Sequence, residues 1–347
     1  MAERAAREPC IAAFLAAQGW AAAERRPLAG DASFRRYDRL ALDGRSAVLM
    51  DAPPPREDVR PFLKVCRLLR GLGYSAPQVF AADESAGLLL LEDLGDDTYT
   101  RLLARGVDEG ELYVLAVDFL IDLHRRLPPE AAAGIPRFDD ARALREVTLL
   151  LDWYWPATQG APLSAAAREG YLDAWRAVLP LSRLSPDRLA LFDFHIDNLI
   201  RLDGRRGVAA CGLLDFQDAV IAPAPFDLVS LLEDARRDVP PALSAAMRAR
   251  YLAACPGLDA GAFDTSYAVL GAQRNSRILG TFARLLKRDG KSDYLVHVPR
   301  VWRWLDGDLA HPALAGLRAW FDDALPPAAR VVPPCGPKSP GGGPATG

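Results

Sequence analysis

Residues 189–233 read LALFDFHIDNLIRLDGRRGVAACGLLDFQDAVIAPAPFDLVSLLE, and this stretch decides the fold. Two β-prone runs, Leu199–Leu202 and Val208–Leu214, flank the turn signal DGRRG at 203–207, so the spacing predicts a hairpin. Asp193-Phe194-His195-Ile196-Asp197-Asn198 precedes its first strand, and Asp215-Phe216-Gln217-Asp218 follows its second. Short, oxygen-bearing side chains therefore bracket both ends of an apolar hairpin, an arrangement able to hold a cation against a substrate. Asp and Asn also gather at hairpin ends as turn formers and caps. What sets this stretch apart is the combination of Asp193 and Asn198 five residues apart, the hairpin, and a second Asp-Phe at its end.

Phosphoryl transfer asks for these parts: a carboxylate that orients the attacking hydroxyl, and hard oxygen ligands that hold Mg²⁺ on the nucleotide phosphates. In protein kinases the catalytic Asp is followed five positions later by Asn, and a metal-binding Asp-Phe-Gly comes further on. The block Asp193–Asn198 with Leu213-Leu214-Asp215-Phe216 resembles the aminoglycoside-phosphotransferase/choline-kinase branch of the kinase-like fold. The resemblance implies Asp193 as catalytic residue, Asn198 and Asp215 as Mg²⁺ ligands and ATP as co-substrate. It departs from the pattern at Leu191, where that branch places a scaffold His.

Composition bounds the alternatives. A chain of 347 residues, 50% of them hydrophobic, buries a large core and has room for two lobes. A net charge of −3 gives no case for a nucleic-acid partner. The five scattered cysteines include no C-x-x-C, which suits a reducing cytoplasm rather than a disulfide framework or zinc ribbon. The opening MAERAAREPC does not read as a signal peptide, and no run reaches membrane-spanning length. A cytoplasmic protein with no membrane partner is the expectation.

Taken in order, residues 4–26 read as mainly helical. Strand-like 37–41 and 46–50, joined at Asp43-Gly44, predict the first hairpin of a nucleotide lobe. Gly30 to Ser33 would form the loop over the phosphates by backbone N–H groups. Kinase-like enzymes place a Lys on the second strand of this hairpin; Met50 stands near that position. Lys64, inside a helical pattern at 58–70, is the only lysine before Lys287, so Arg35 or Arg36 is left to supply the phosphate-facing charge. The apolar run Leu88–Leu91 followed by an acidic turn predicts a strand ending in a hinge, with Glu92, Asp93 and Leu94 meeting adenine through their backbone.

Beyond residue 94 the pattern is mainly helical. Residues 109–127 form an amphipathic helix in which His124 is structural, and 139–155 form another, carrying Glu146, Asp152, Trp153 and Trp155. Carboxylates beside aromatics suit a sugar, so Glu146 and Trp153 are candidate substrate residues, with Arg274 for a substrate carboxylate. His195 and Asp218 are candidates beside the reacting hydroxyl.

A narrower resemblance follows from G-D-A-S-F-R-R-Y at 30–37, V-L-M-D-A-P-P at 48–54, Asp215–Leu232, and the late segments starting at Gln273-Arg274. These are similar to the anomeric N-acetylmuramate/N-acetylglucosamine kinases of peptidoglycan recycling. The resemblance implies a sugar 1-phosphate product and Asp227 as a scaffold residue, for which an N-cap position would also serve. The predicted architecture is α+β, a protein-kinase-like two-lobe fold with a small antiparallel β N-lobe and a larger, mainly helical C-lobe. Residues 1–93 would form the nucleotide lobe with its leading helix. Residues 94–324 would form the C-lobe with hairpin and sugar site, and the Pro/Gly-rich 325–347 a disordered tail. Two alternatives stay open: a kinase of this fold acting on an aminoglycoside, choline or homoserine, and a nucleotide-binding pseudokinase, suggested by Met50. A Ser or Cys hydrolase lacks a G-x-S-x-G elbow.

Overall fold

Antiparallel pairing of five short strands builds the sheet that the Asp43-Gly44 signal foretells. Leu42 pairs with Arg45, and the two loop residues have φ of 50° and 75°. Positive φ at both positions is what a type I′ hairpin turn requires, and Asp-Gly supplies it at little steric cost. A computed structural model describes residues 2–28 and 34–335. In chain order its main elements are α1 (Ala2–Ala17), β1 (Glu24–Pro27), β2 (Arg36–Leu42), β3 (Arg45–Asp51), α2 (Arg60–Gly71), β4 (Val79–Asp83), β5 (Leu88–Leu91), α3 (Tyr99–Ala104) and α4 (Glu109–Arg126). There follow α5 (Asp140–Leu149), α6 (Trp155–Thr158), α7 (Ala165–Val178), β6 (Asp187–Ala190), β7 (Leu199–Arg201), β8 (Cys211–Leu213) and β9 (Val220–Pro223). Last come α8 (Phe226–Leu232), α9 (Pro241–Ala254), α10 (Ala260–Asp289), α11 (Val298–Leu309) and α12 (Ala315–Ala324).

The chain divides into two compact units. One combines Met1–Arg126 with Leu191–Ala219; the other combines Leu127–Ala190 with Val220–Gly347. This division differs from the break expected at residue 93, because α3 and α4 share the first unit with the hairpin β7–β8.

In the first unit the strand order is β1-β2-β3-β5-β4. Alternation along the strands turns Leu40, Ala47, Leu49, Leu88 and Leu90 to one face, where Ile11, Leu15 and Trp20 pack on them. The helix expected over 4–26 stops at Ala17. Gly19 takes φ 73°, the Trp20 N–H returns to the Leu15 carbonyl at 2.8 Å, and residues 24–27 are free to add an edge strand to β2. The opposite face of the sheet carries Met50, in register with Tyr37 and Leu89. Gly87 lets the chain pass the end of β3: its φ is 68°, and a Cβ there would sit 2.0 Å from the Ala52 carbonyl oxygen.

The hairpin β7–β8 is shorter than its apolar runs, since Gly207–Ala210 coil into one 3₁₀ turn. Its backbone is held from both sides: Leu213 N–H donates to Ser75 O at 3.0 Å and Arg201 N–H to Asp97 O at 2.9 Å.

In the second unit the 30-residue α10 is the central element, capped by the Asp259 side chain on the Ala262 N–H and stopped by Gly290 at φ 67°. The helix expected over 139–155 does not run straight. α5 opens into a π turn over Leu150–Tyr154 before α6. The widening begins where the backbone lies against α10: a Cβ on Gly280 would lie 2.2 Å from the Leu149 carbonyl carbon. Residues 325–335 of the expected tail are ordered. Leu325 is fully buried, Arg330 stacks over Trp302 at 5.1 Å, and the Tyr154 hydroxyl donates to Val331 O at 2.6 Å. An arginine and one backbone carbonyl hold a segment whose Pro-rich composition hid both; residues 336–347 lie outside the described residues. Asp227 is buried in the first turn of α8, but the cap position there is Pro225, so the expected N-cap role does not apply.

Candidate active site

The site is built on the open end of the β7–β8 hairpin. Leu199 pairs with Leu213, and the Leu214 N–H donates to Asn198 O at 2.9 Å. The register therefore sets Asn198 opposite Leu214 and next to Asp215. Asp193 reaches the same end through a tight loop: its N–H donates to Leu191 O at 3.0 Å, and its own carbonyl accepts from His195 N–H at 3.1 Å. The Asn198 amide nitrogen donates to that carbonyl too, at 2.9 Å. With its nitrogen fixed, Asn198 presents Oδ1 as its remaining polar atom.

Two backbone distortions aim these groups. Phe192 has φ 78° and Asp215 φ 56°. A bulky aromatic at positive φ is a strained residue that its surroundings must hold in place. The following Phe in each Asp-Phe pair is an anchor. Phe194 is 2% exposed and stacks on Phe119 of α4 at 5.7 Å, while Phe216 is fully buried and stacks on Phe62 of α2 at 4.9 Å. Aromatic pairs of this kind contribute about 0.5–1.5 kcal/mol beyond area burial. Each carboxylate is thus fixed by the side chain next to it.

Charge converges on Asp215. Its Oδ1 accepts from Gln217 Nε2 at 2.9 Å and lies 3.5 Å from Arg35 Nη1. Arg35 Nε lies 3.2 Å from Glu57 Oε2. Burial alone would lower the Arg35 pKa; Tyr37, Asp215, Glu57 and Asp218 together raise it. Tyr37 is pushed up to about 12, chiefly by burial. Asp218 itself is exposed, and His195 is buried with Nε2 3.3 Å from the Asn198 amide nitrogen.

At the end of β5, Glu92 and Asp93 are tied down. The Glu92 N–H donates to Gln78 O at 2.7 Å, and its carboxylate meets Arg70 and Arg205. Arg39 pairs with Asp93 at 2.8 Å and Asp96 at 2.6 Å. The Glu92 N–H is therefore spent within the protein, which removes it as an adenine donor, while Leu94 N–H has no hydrogen-bond partner among the described residues. Gly30 and Ser33 lie outside the described residues.

The sequence candidates of the second unit are engaged internally. Glu146 accepts from Arg142 at 2.9 Å and Gln273 at 3.2 Å, with Arg277 at 3.8 Å, tying α5 to α10. Arg274 is 6% exposed and donates to Glu233 O at 3.0 Å. Trp153 is half-buried in the π turn. Sequence reasoning missed Glu57, which precedes α2 outside any motif, and the buried pair Glu233 and Asp308, which Asn275 bridges at 2.7 and 3.0 Å.

Among the described residues no helix is long and apolar enough to cross a membrane. The structure is similar to a choline/ethanolamine kinase family protein from Mesorhizobium loti, with TM-score 0.61, 15% identity, and coverage of 90% of this chain and 99% of that one. It is also similar to the GDP complex of aminoglycoside 2′-phosphotransferase-IIIa, with TM-score 0.58, 16% identity, and coverage of 86% and 96%. At those identities the likeness shows the kinase-like fold. In sequence, the chain is 40% identical to an N-acetylmuramate/N-acetylglucosamine kinase of Caulobacter vibrioides over 92% of this chain and 97% of that one. It is 36% identical to the N-acetylmuramate/N-acetylglucosamine kinase of Pseudomonas aeruginosa, over 89% and 92%. The model of the phosphotransferase enzyme family matches residues 24–263. The match spans most of the chain and includes the five-stranded sheet and the β7–β8 hairpin, so the chain belongs to the phosphotransferase enzyme family.

Proposed function

We propose that this chain transfers the γ-phosphoryl group of ATP to the anomeric hydroxyl of N-acetylmuramate and N-acetylglucosamine, forming the sugar 1-phosphate in the cytoplasm during peptidoglycan recycling. The observation that carries this reading is the 40% identity, along almost the whole length of both chains, to a kinase named for those two sugars.

The residues divide the work as follows. Asp193, held by its loop and by the Phe194 anchor, accepts the hydrogen bond of the attacking hydroxyl and takes its proton late in the transfer. The new bond joins the hydroxyl oxygen to the γ-phosphorus as the bond to the β-phosphate oxygen breaks, and ADP leaves. Leu94 N–H and the Glu92 carbonyl face the adenine edge, and Arg35 faces the phosphates. His195, behind Asn198, steadies the loop.

Magnesium fits the oxygen donors of this site. The carboxylate of Asp215 and the Oδ1 of Asn198 are hard ligands on adjacent positions of one hairpin end. Among the described residues no cluster of three or more His, Cys, Asp and Glu competes for a metal. Two protein oxygens, completed by phosphate and water, are what a nucleotide-borne Mg²⁺ uses. Bound there, it would neutralise charge on the transferring phosphoryl group.

An aminoglycoside or choline would call for uncompensated carboxylates. Glu146, the leading candidate, is matched by Arg142 and Arg277. The test is ATP consumption with Mg²⁺ against N-acetylmuramate, N-acetylglucosamine, glucose, kanamycin, choline and homoserine, with Asp193→Asn as the blank. Turnover confined to the N-acetyl sugars, giving an acid-labile phosphate, is the expected result. Turnover on another member of the panel refutes the sugar assignment. Substantial activity in Asp193→Asn removes Asp193 from its role.

A further inference from the structure

Kinases of this fold grip the nucleotide phosphates with a strand lysine paired to a helix glutamate. Here the strand position holds Met50, 1% exposed and wedged between Tyr37 and Leu89. Lys64 of α2 is exposed, on the side of the helix away from its buried residues Phe62, Leu63, Val65, Cys66 and Leu69. Among the described residues of this unit, then, neither the strand position nor Lys64 supplies the charge, and the cation beside Asp215 is an arginine from another element. Arg35 sits immediately before β2, with a side chain 13% exposed, close to the Asp215 carboxylate on one side and Glu57 on the other.

Glu57 has two jobs visible in its geometry. Oε2 takes the Arg35 Nε edge at 3.2 Å, and Oε1 accepts the Phe34 N–H at 3.0 Å. One carboxylate thus holds the backbone ahead of Arg35 by a hydrogen bond and its guanidinium by charge. The planar fork of arginine makes this possible: one edge rests on Glu57 while a terminal nitrogen, Nη1, points to the side where Asp215 stands. A lysine has one ammonium and cannot serve both places at once.

We propose that Glu57 is a positioning residue that holds Arg35 as the phosphate-contacting cation, so that Arg35–Glu57 replaces the strand lysine–helix glutamate pair. The inference rests on the kinase reading above. It places the missing charge on a different element, brought to Asp215 by the turn before β2 rather than by β3.

The experiment measures nucleotide binding without sugar, so that it is independent of turnover. The dissociation constants of a non-hydrolysable ATP analogue and of adenosine are determined by calorimetry for wild type, Arg35→Met, Arg35→Lys, Glu57→Gln and the double variant Arg35→Met/Glu57→Gln. The analogue is titrated with and without Mg²⁺. Loss of a charge-assisted contact predicts about tenfold or greater weakening for the analogue in Arg35→Met and in Glu57→Gln, and little change for adenosine. The double variant should be no worse than Arg35→Met, because both Glu57 contacts, to the Phe34 N–H and to the guanidinium, serve to place Arg35. Arg35→Lys should fail to restore wild-type affinity. Unchanged analogue binding in Glu57→Gln, equal loss of adenosine and analogue, or losses that multiply in the double variant would each overturn the proposal. If wild type itself binds no nucleotide, the kinase reading fails, and the pair inference falls with it.

Discussion

Removing residues from 330 onward should destabilise the protein, although the sequence there is mostly Pro and Gly. The Arg330 side chain is 7% exposed; it donates to Leu325 O at 2.7 Å, pairs with Asp306 and Asp322, and lies over the Trp302 ring at 5.1 Å. The cation–π contact contributes about 1 kcal/mol at a partly desolvated site. The two ion pairs, with half-exposed carboxylates, contribute a few tenths each. Loss of the Val331 carbonyl leaves the Tyr154 hydroxyl, which also accepts from Trp302 Nε1 at 3.0 Å, without its own acceptor, at about 1 kcal/mol or more. The combined loss is about 3 kcal/mol. At roughly 2–4 °C per kcal/mol for a unit of this size, melting should fall by about 6–12 °C. A truncation after Cys335 keeps every one of these contacts and should melt with the full chain. Differential scanning calorimetry on the two truncations decides the matter. If the chain ending at residue 329 melts within about 2 °C of full length, the Arg330 anchor contributes nothing.

Two further perturbations test the second unit. Burial pushes Glu233 up to about 6, and burial followed by the Glu233 charge pushes Asp308 well above the ordinary range; Arg274, Arg248, Asn275 and Tyr267 face the pair. A raised carboxylate pKa means the folded state binds more protons than the unfolded one, so this stability is present below about pH 4.5 and is lost as pH rises through about 6. Melting should therefore be lower at pH 7.5 than at pH 5, and Asp308→Asn should raise it at pH 7.5; a flat wild-type profile, or a less stable variant, would contradict the reading. Gly280→Ala places a Cβ 2.2 Å from Leu149 C and 2.4 Å from its carbonyl oxygen, against backbone that cannot yield. It should cost about 3 kcal/mol in urea unfolding, and a loss under about 1 kcal/mol would mean α10 shifts freely.

What was legible in the sequence was whatever repeats a local signal. The Asp-Gly turn and the Leu88–Leu91 strand each carry their geometry in adjacent residues, and each stands where it was expected. What was hidden depends on partners far along the chain. Glu57 looks like any surface glutamate until Arg35 and Phe34 close on it. Glu146 likewise gives no local sign of its partners on α10, Gln273 and Arg277. The π turn at Leu150–Tyr154 has no signature of its own; it begins where Gly280, 130 residues later, brings α10 against Leu149. The helix predicted through 26 failed at Gly19, a signal present in the sequence but outweighed by the alanine-rich composition around it.

The two Asp-Phe dipeptides explain how a rigid site arises at the end of so short a hairpin. A three-residue ladder cannot by itself hold side chains to the tolerance that phosphoryl transfer demands. The phenylalanines supply the missing rigidity by reaching into the core at different places, one onto α4 and one onto α2. α2 follows directly on the turn that carries Glu57, so the element anchoring Phe216 is also the one that sets the Arg35 partner. Asp215, Arg35 and Glu57 are thereby coupled through covalent neighbours as well as through charge: movement of α2 would shift the aromatic stack and the guanidinium together. The pairing of a half-exposed carboxylate with a fully buried ring is therefore a mechanical device, and the strained φ at Phe192 and Asp215 is the cost of turning the acid outward while the ring stays in.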